Sequence, residues 1–161
     1  MVVGEMGRGK SMRFRIALLG ALMGLMVVGS AEATVRISGD PGGRIVTYVR
    51  KYEALRSSGE SVMIDGMCAS ACTIVLGALP RERICVTQRA RLGFHAAWEF
   101  GQAGRPVTNP MATRMLMSMY PNEIRSWIRR RGGLNSRMIF LSGRELAALY
   151  PRCGPVEAAV R

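Results

Sequence analysis

Acidic residues and histidines are what this chain has least of. Its 161 residues hold 11 Asp and Glu against 23 Lys and Arg, with a single histidine, His95, so the formal net charge is +12. With one imidazole, and with no second close cysteine pair beside Cys68-x3-Cys72, the chain lacks the ligand set of a structural zinc centre; no metal and no cofactor are expected. No apolar stretch reaches the roughly 20 residues that a helix needs to cross a bilayer; the longest, residues 16–28, has 13. Internal repeats and low-complexity tracts are also missing, which excludes solenoid and fibrous architectures.

What is present at the N-terminus has a definite order. A basic segment with Arg8, Lys10, Arg13 and Arg15 precedes the apolar run, and Gly29-Ser30-Ala31-Glu32-Ala33 follows it with the small-x-small pattern of a cleavage site. That order is the one of a secretory signal peptide. Residues 1–33 are therefore read as the signal peptide, with Met6 and Met12 as alternative starts, and 34–161 as one mature domain. Retention of the run as a membrane anchor is the lesser alternative. An apolar content of 48% suffices for one core in a domain of this size, and the protein is expected to be periplasmic or secreted.

Export changes the meaning of charge and of cysteine. Residues 1–33 carry four basic and two acidic side chains, which leaves the mature chain at +10. Outside the cytoplasm the electrostatic partners of such a chain are anionic membrane surfaces or acidic wall polymers, and nucleic acid is not expected. Nearly all of the positive charge is arginine, so charge alone does not mark a binding patch. Four cysteines, Cys68, Cys72, Cys85 and Cys153, are an even set in an oxidising compartment and imply two disulfides, with three connectivities open.

The mature chain reads as α/β. Alternating, β-branched 34–38 is a strand, Gly39-Asp40-Pro41-Gly42-Gly43 a turn, and 44–56 a helix with Ile45, Tyr48, Val49, Tyr52 and Leu55 on one face. Ser57-Ser58-Gly59 stops it, and the continuous apolar run within 60–65 suits a strand buried on both faces, so that strand, helix and strand form a parallel crossover. Helix is expected over 71–79, strands over 83–87 and 91–95, and an irregular, glycine-bearing loop over 97–109, placed as a lid beside His95. Asn109-Pro110 opens a helix over 110–119 whose methionines Met111, Met115 and Met119 read as core. A helix over 122–131 buries Ile124, Trp127 and Ile128 and turns its arginines to solvent, 138–141 is a strand, and Ser142-Gly143-Arg144-Glu145 has the spacing of a capping box for a last helix to Leu149.

Chemistry concentrates at Cys68-Ala69-Ser70-Ala71-Cys72-Thr73, where an apolar strand turns into an apolar helix. A serine on such a turn has free helix-start amides behind it, and an imidazole is the group that takes its proton. Ser70 is the candidate nucleophile, His95 the candidate base, and the amides of Ala71 and Gly43 the candidate oxyanion donors.

Three segments together resemble a known family. Ile37-Ser38-Gly39-Asp40-Pro41-Gly42-Gly43, Ile64-Asp65-Gly66-Met67-Cys68-Ala69-Ser70-Ala71 and Arg91-Leu92-Gly93-Phe94-His95 are similar to the glycine turn, nucleophile turn and histidine strand of the Clp protease proteolytic subunit within the Clp/crotonase superfamily. Phe140-Leu141-Ser142-Gly143-Arg144-Glu145 resembles its late helix start, and the exported form resembles predicted periplasmic Clp-like proteins of bacteria. The resemblance implies a ClpP/crotonase-like spiral of βα units, a Ser70–His95 pair with an oxyanion hole at Gly43 and Ala71, and a peptide or other acyl substrate. The family's subunits assemble into rings, but no ring interface is legible here and a homo-oligomer is one of the open states. The family's third triad member, an aspartate, has no counterpart here. Asn135, Asp65 or no side chain at all orients His95. Among the cysteine connectivities, Cys68–Cys72 with Cys85–Cys153 is favoured. The expected function is an exported serine hydrolase; the alternative is a non-catalytic binding or scaffold module of the same fold. An acyl-CoA enzyme is disfavoured by export.

Overall fold

The computed structural model describes residues 33–154, so the signal-peptide reading lies outside the described residues. Strand β1 (Thr34–Asp40), helix α1 (Ile45–Ser58) and strand β2 (Ser61–Ala69) form the expected parallel crossover, with Val35 opposite Val62 and Ile37 opposite Ile64. Ser61 to Asp65 give way to a further four residues of strand, so β2 runs straight up to Ser70. Val62, Met63 and Ile64 are all buried, as a strand covered on both faces requires.

Strand β2 is the axis of the sheet because it has two successive neighbours on one side. Its first half pairs in parallel with β3 (Ile84–Val86), its second half with β4 (Arg91–Phe94), and β7 (Ile139–Ser142) closes the sheet antiparallel to β4. The chain is thus mixed α/β, with four strand ends brought to one edge. Between β2 and β3 lie a 3-10 turn (Ser70–Ile74) and a short helix α2 (Val75–Ala78), in place of the single helix expected over 71–79. Helices α3 (Pro110–Met119), α4 (Asn122–Arg130) and α5 (Gly143–Leu149) follow the expected positions. They share one core with the sheet: Tyr52 from α1, Leu76 from α2, Leu116 from α3, Trp127 and Ile128 from α4, and Leu146 from α5. Phe94 at the end of β4 meets Tyr120 edge-on at 5.4 Å and Trp127 at 5.7 Å, which seats the α3–α4 junction beneath the histidine strand.

Three local expectations are corrected. Residues 97–109 are not an irregular loop: Trp98–Phe100 (β5) and Pro106–Thr108 (β6) pair as an antiparallel ribbon, Trp98 opposite Thr108. Each strand has only three residues, too short a span to stand out beside the glycines. Ser142 makes no capping hydrogen bond to α5, because it belongs to β7, and Glu145 instead holds Arg131 at 2.7 Å. Met111 and Met115 do not lie in the core; they stand in solvent while Leu116 takes the buried position.

Asp65 is the buried acid of the sheet. Arg89 Nη2 at 2.7 Å, the Thr87 hydroxyl at 2.7 Å and Arg36 all donate to its carboxylate. The Arg89 hydrogen bonds, then those of Thr87 and Arg36, hold its carboxyl down from 3.8 to about 2 against the opposing effect of burial. A carboxyl depressed in the folded state stabilises that state above its unfolded value and loses this contribution as pH falls toward its folded one. The urea midpoint is therefore expected to drop between pH 4 and pH 2, and Asp65→Asn is expected to flatten that part of the profile. An unchanged profile in the variant would show that other carboxyls govern acid stability.

Candidate active site

Ser70 sits directly after β2 with φ +55°, left-handed backbone that a residue with a Cβ adopts only when its surroundings impose it. The geometry lifts the side chain out of the strand end, in the manner of a strand-to-helix nucleophile turn. The surroundings that hold it are identifiable. Thr73 Oγ1 donates to the Ser70 carbonyl at 2.6 Å and shares a 2.6 Å hydrogen bond with the Tyr120 hydroxyl, and both residues are buried. Tyr52 donates to the Cys72 carbonyl at 3.0 Å. A Cys68–Cys72 disulfide brackets the turn, with both cysteines fully buried. Burial pushes the Tyr52 and Tyr120 hydroxyls well above their ordinary range, so both remain protonated donors.

The glycine turn presses against this one. Gly42 has φ +87°, and a Cβ placed on it would lie 2.4 Å from the Ala69 carbonyl oxygen and 2.6 Å from Ser70 Cβ. Only glycine allows that contact. The Asp40 carboxylate shapes the turn by accepting the Gly42 amide at 2.9 Å and the Tyr48 hydroxyl, with Lys51 at 3.5 Å. Tyr48 is pushed up to about 12 by burial and by this bond to Asp40. The Gly43 amide makes no hydrogen bond among the described residues. The Ala71 amide lies in the first turn of a 3-10 segment, where amides lack an intrahelical partner. Both residues line the same cleft, which encloses about 730 Å³ and also exposes Ser70 and His95.

His95 follows β4 immediately. Its Nδ1 lies 2.7 Å from the Ala96 carbonyl, and since a carbonyl only accepts, Nδ1 carries the proton and Nε2 of the neutral ring keeps its lone pair. The Ala96 amide is held in turn by the Asn135 carbonyl at 2.8 Å. The side-chain orienters considered from sequence are thereby corrected. The Asn135 carboxamide oxygen accepts the Arg137 amide at 2.9 Å, capping its own turn, so Asn135 reaches the histidine through its main chain and by way of Ala96. Asp65 is occupied by Arg36, Arg89 and Thr87.

Ser70 and His95 therefore share one cleft, and among the described residues no hydrogen bond joins Ser70 Oγ to Nε2. Such bonds are often long before substrate binds. Sequence reasoning missed the role of Asp40, whose position two residues before Gly42 is an Asx-turn signal, and those of Thr73 and Tyr120, whereas the adjacent glycines Gly42 and Gly43 were legible as a place where backbone comes close, which Gly42 provides. Nothing in the sequence marked the Ala96 carbonyl. The far wall of the cleft is Trp98 and Phe100 of β5 with Ala112 and Leu116 of α3, predominantly apolar.

Both disulfides join the pairs favoured from sequence. Cys85–Cys153 ties the end of the described chain to β3, where the Val86 amide also donates to the Pro151 carbonyl at 2.9 Å. With every described cysteine paired, the domain is suited to an oxidising compartment. Among the described residues no helix is long and apolar enough to cross a membrane. Fold and site together define an α/β protein with a strained serine and a tautomer-fixed histidine on one cleft. No family model matches the chain, and no curated protein is significantly similar to it.

Proposed function

We propose that this chain is an exported serine hydrolase of ClpP/crotonase-like architecture, periplasmic or secreted, that cleaves a peptide or another acyl substrate. The observation that carries the reading is the left-handed Ser70 at the end of β2, held in a cleft it shares with a histidine whose Nε2 is free. His95 Nε2 takes the Ser70 proton as Oγ attacks the carbonyl, the oxyanion meets the Gly43 and Ala71 amides, and the protonated imidazole then gives its proton to the leaving group. Water reverses the steps to release the acid. A backbone carbonyl at Nδ1 fixes the tautomer but brings no full negative charge to balance the imidazolium, so turnover is expected to be slower than with an acid in the third position.

Reaction of the oxidised protein with a fluorophosphonate tests the proposal. A covalent adduct on Ser70, absent from Ser70→Ala, is the expected result; no adduct, or equal labelling of the variant, would sink it. The second reading, a binding module of the same fold, draws on the unformed Ser70–His95 hydrogen bond. It requires Ser70→Ala to preserve function in the cell, so loss of complementation would exclude it.

A further inference from the structure

The mouth of the cleft carries more exposed apolar surface than a monomeric fold needs. On β5, Trp98 and Phe100 are 52% and 72% exposed and meet edge-on at 5.2 Å. On α3, Met111 and Met115 are 74% and 46% exposed, each one residue before Ala112 and Leu116, which line the cleft with the two aromatic rings. The four side chains thus lie along the ribbon and helix of one wall. Apolar groups clustered in this way mark a surface that something covers.

The charges around the cluster say what. Arg105 lies in the β5–β6 connection, Arg114 lies on α3 between the two methionines, and Arg44 is on the opposite lip of the cleft. All are exposed, and none forms an ion pair among the described residues. The one acid on β5, Glu99, accepts from Asn109 Nδ2 at 2.8 Å. A second copy of the chain is a poor occupant, because a two-fold interface would bring like-charged arginines to the same patch in a chain already at +12. Aromatic and methionine side chains ringed by unpaired arginines instead match an interface that is apolar below and negative at its surface, as in an anionic phospholipid bilayer.

We propose that Trp98, Phe100, Met111 and Met115, with Arg105 and Arg114, dock the folded domain on an anionic membrane surface, the rings and thioethers entering the headgroup layer and the guanidinium groups meeting lipid phosphates. If the hydrolase reading also holds, the cleft mouth faces the bilayer and substrate is taken at that surface. The docking does not depend on catalysis, so it is measured on the oxidised Ser70→Ala chain, and its failure leaves the hydrolase reading untouched.

The probe is phosphatidylcholine vesicles with and without phosphatidylglycerol. Binding is expected with the anionic vesicles and is expected to weaken with salt. Trp98 emission is expected to shift to the blue, while Trp127, 4% exposed in the core, does not respond. At about fivefold per unit of charge, Arg105→Glu with Arg114→Glu is expected to weaken binding on the order of a hundredfold or more, and Trp98→Ser with Phe100→Ser more than tenfold, both with unchanged circular dichroism. Comparison within the same chain cancels any contribution from residues 1–33. The proposal is overturned if the variants bind as the parent does, if Trp98 emission is unmoved by vesicles, or if sedimentation shows a dimer that shields Trp98 without lipid.

Discussion

If the proposed hydrolase reading holds, His95→Ala is expected to slow fluorophosphonate labelling and ester turnover by on the order of 10³–10⁴, because the imidazole that takes the Ser70 proton would be gone. Asn135→Ala, in contrast, is expected to stay within about twofold of the parent. The Asn135 side chain is turned to the Arg137 amide, and what supports the histidine is the Asn135 main-chain carbonyl, which alanine also supplies. The pair of variants separates two mechanisms. If Asn135→Ala fell as far as His95→Ala with the fold intact, the carboxamide would have to reach the imidazole during turnover, and the Ala96 carbonyl at 2.7 Å would be only a resting partner. Rates of label incorporation give the comparison without knowledge of the natural substrate.

Removal of the Cys85–Cys153 disulfide, by Cys85→Ser with Cys153→Ser, is expected to destabilise the domain by about 4 kcal/mol and to lower the melting temperature by on the order of 15 °C. It closes a loop with a sequence separation of 68, and the entropy withheld from the unfolded chain grows with the logarithm of that length. The same relation gives only about 2 kcal/mol for Cys68–Cys72, separated by 4. Cys68→Ser with Cys72→Ser is nevertheless the pair expected to reduce Ser70 labelling, since Cys72 belongs to the turn that holds the Ala71 amide and its carbonyl accepts from Tyr52. Cys85 and Cys153 are partly exposed and Cys68 and Cys72 fully buried, so dithiothreitol should open the long bridge first. Scanning calorimetry and labelling on each variant test the assignment. A larger melting shift from the short bridge would mean that core packing around Cys68 and Cys72, rather than chain entropy, dominates.

Much of the fold was legible because the signals are local. Buried Val62-Met63-Ile64 announces a strand covered on both faces, and the Asn109 side chain accepts the Ala112 amide as its place before Pro110 foretells. The helix stop at Gly59 has the left-handed backbone expected of a glycine after a last turn. Errors arose where an element is short or where one pattern admits two environments. Trp98–Phe100 and Pro106–Thr108 are three residues each. The methionines of α3 have helical spacing whether they face core or solvent, and which face is buried depends on what Leu116 and Tyr120 meet.

The sequence by itself determined the parts of the site that reside in residue type: one serine between two cysteines after an apolar strand, one histidine after another, two adjacent glycines in a turn, and an even set of cysteines. The tertiary structure decided how those parts are held. Ser70 takes its left-handed backbone because Thr73, Tyr120 and Gly42 close around it, and of these Tyr120 and Gly42 reach it only through the fold. His95 is set by the Ala96 carbonyl, and the Ala96 amide donates to the Asn135 carbonyl. Every residue carries such a carbonyl, so no choice of amino acid records which one the fold will aim at the imidazole.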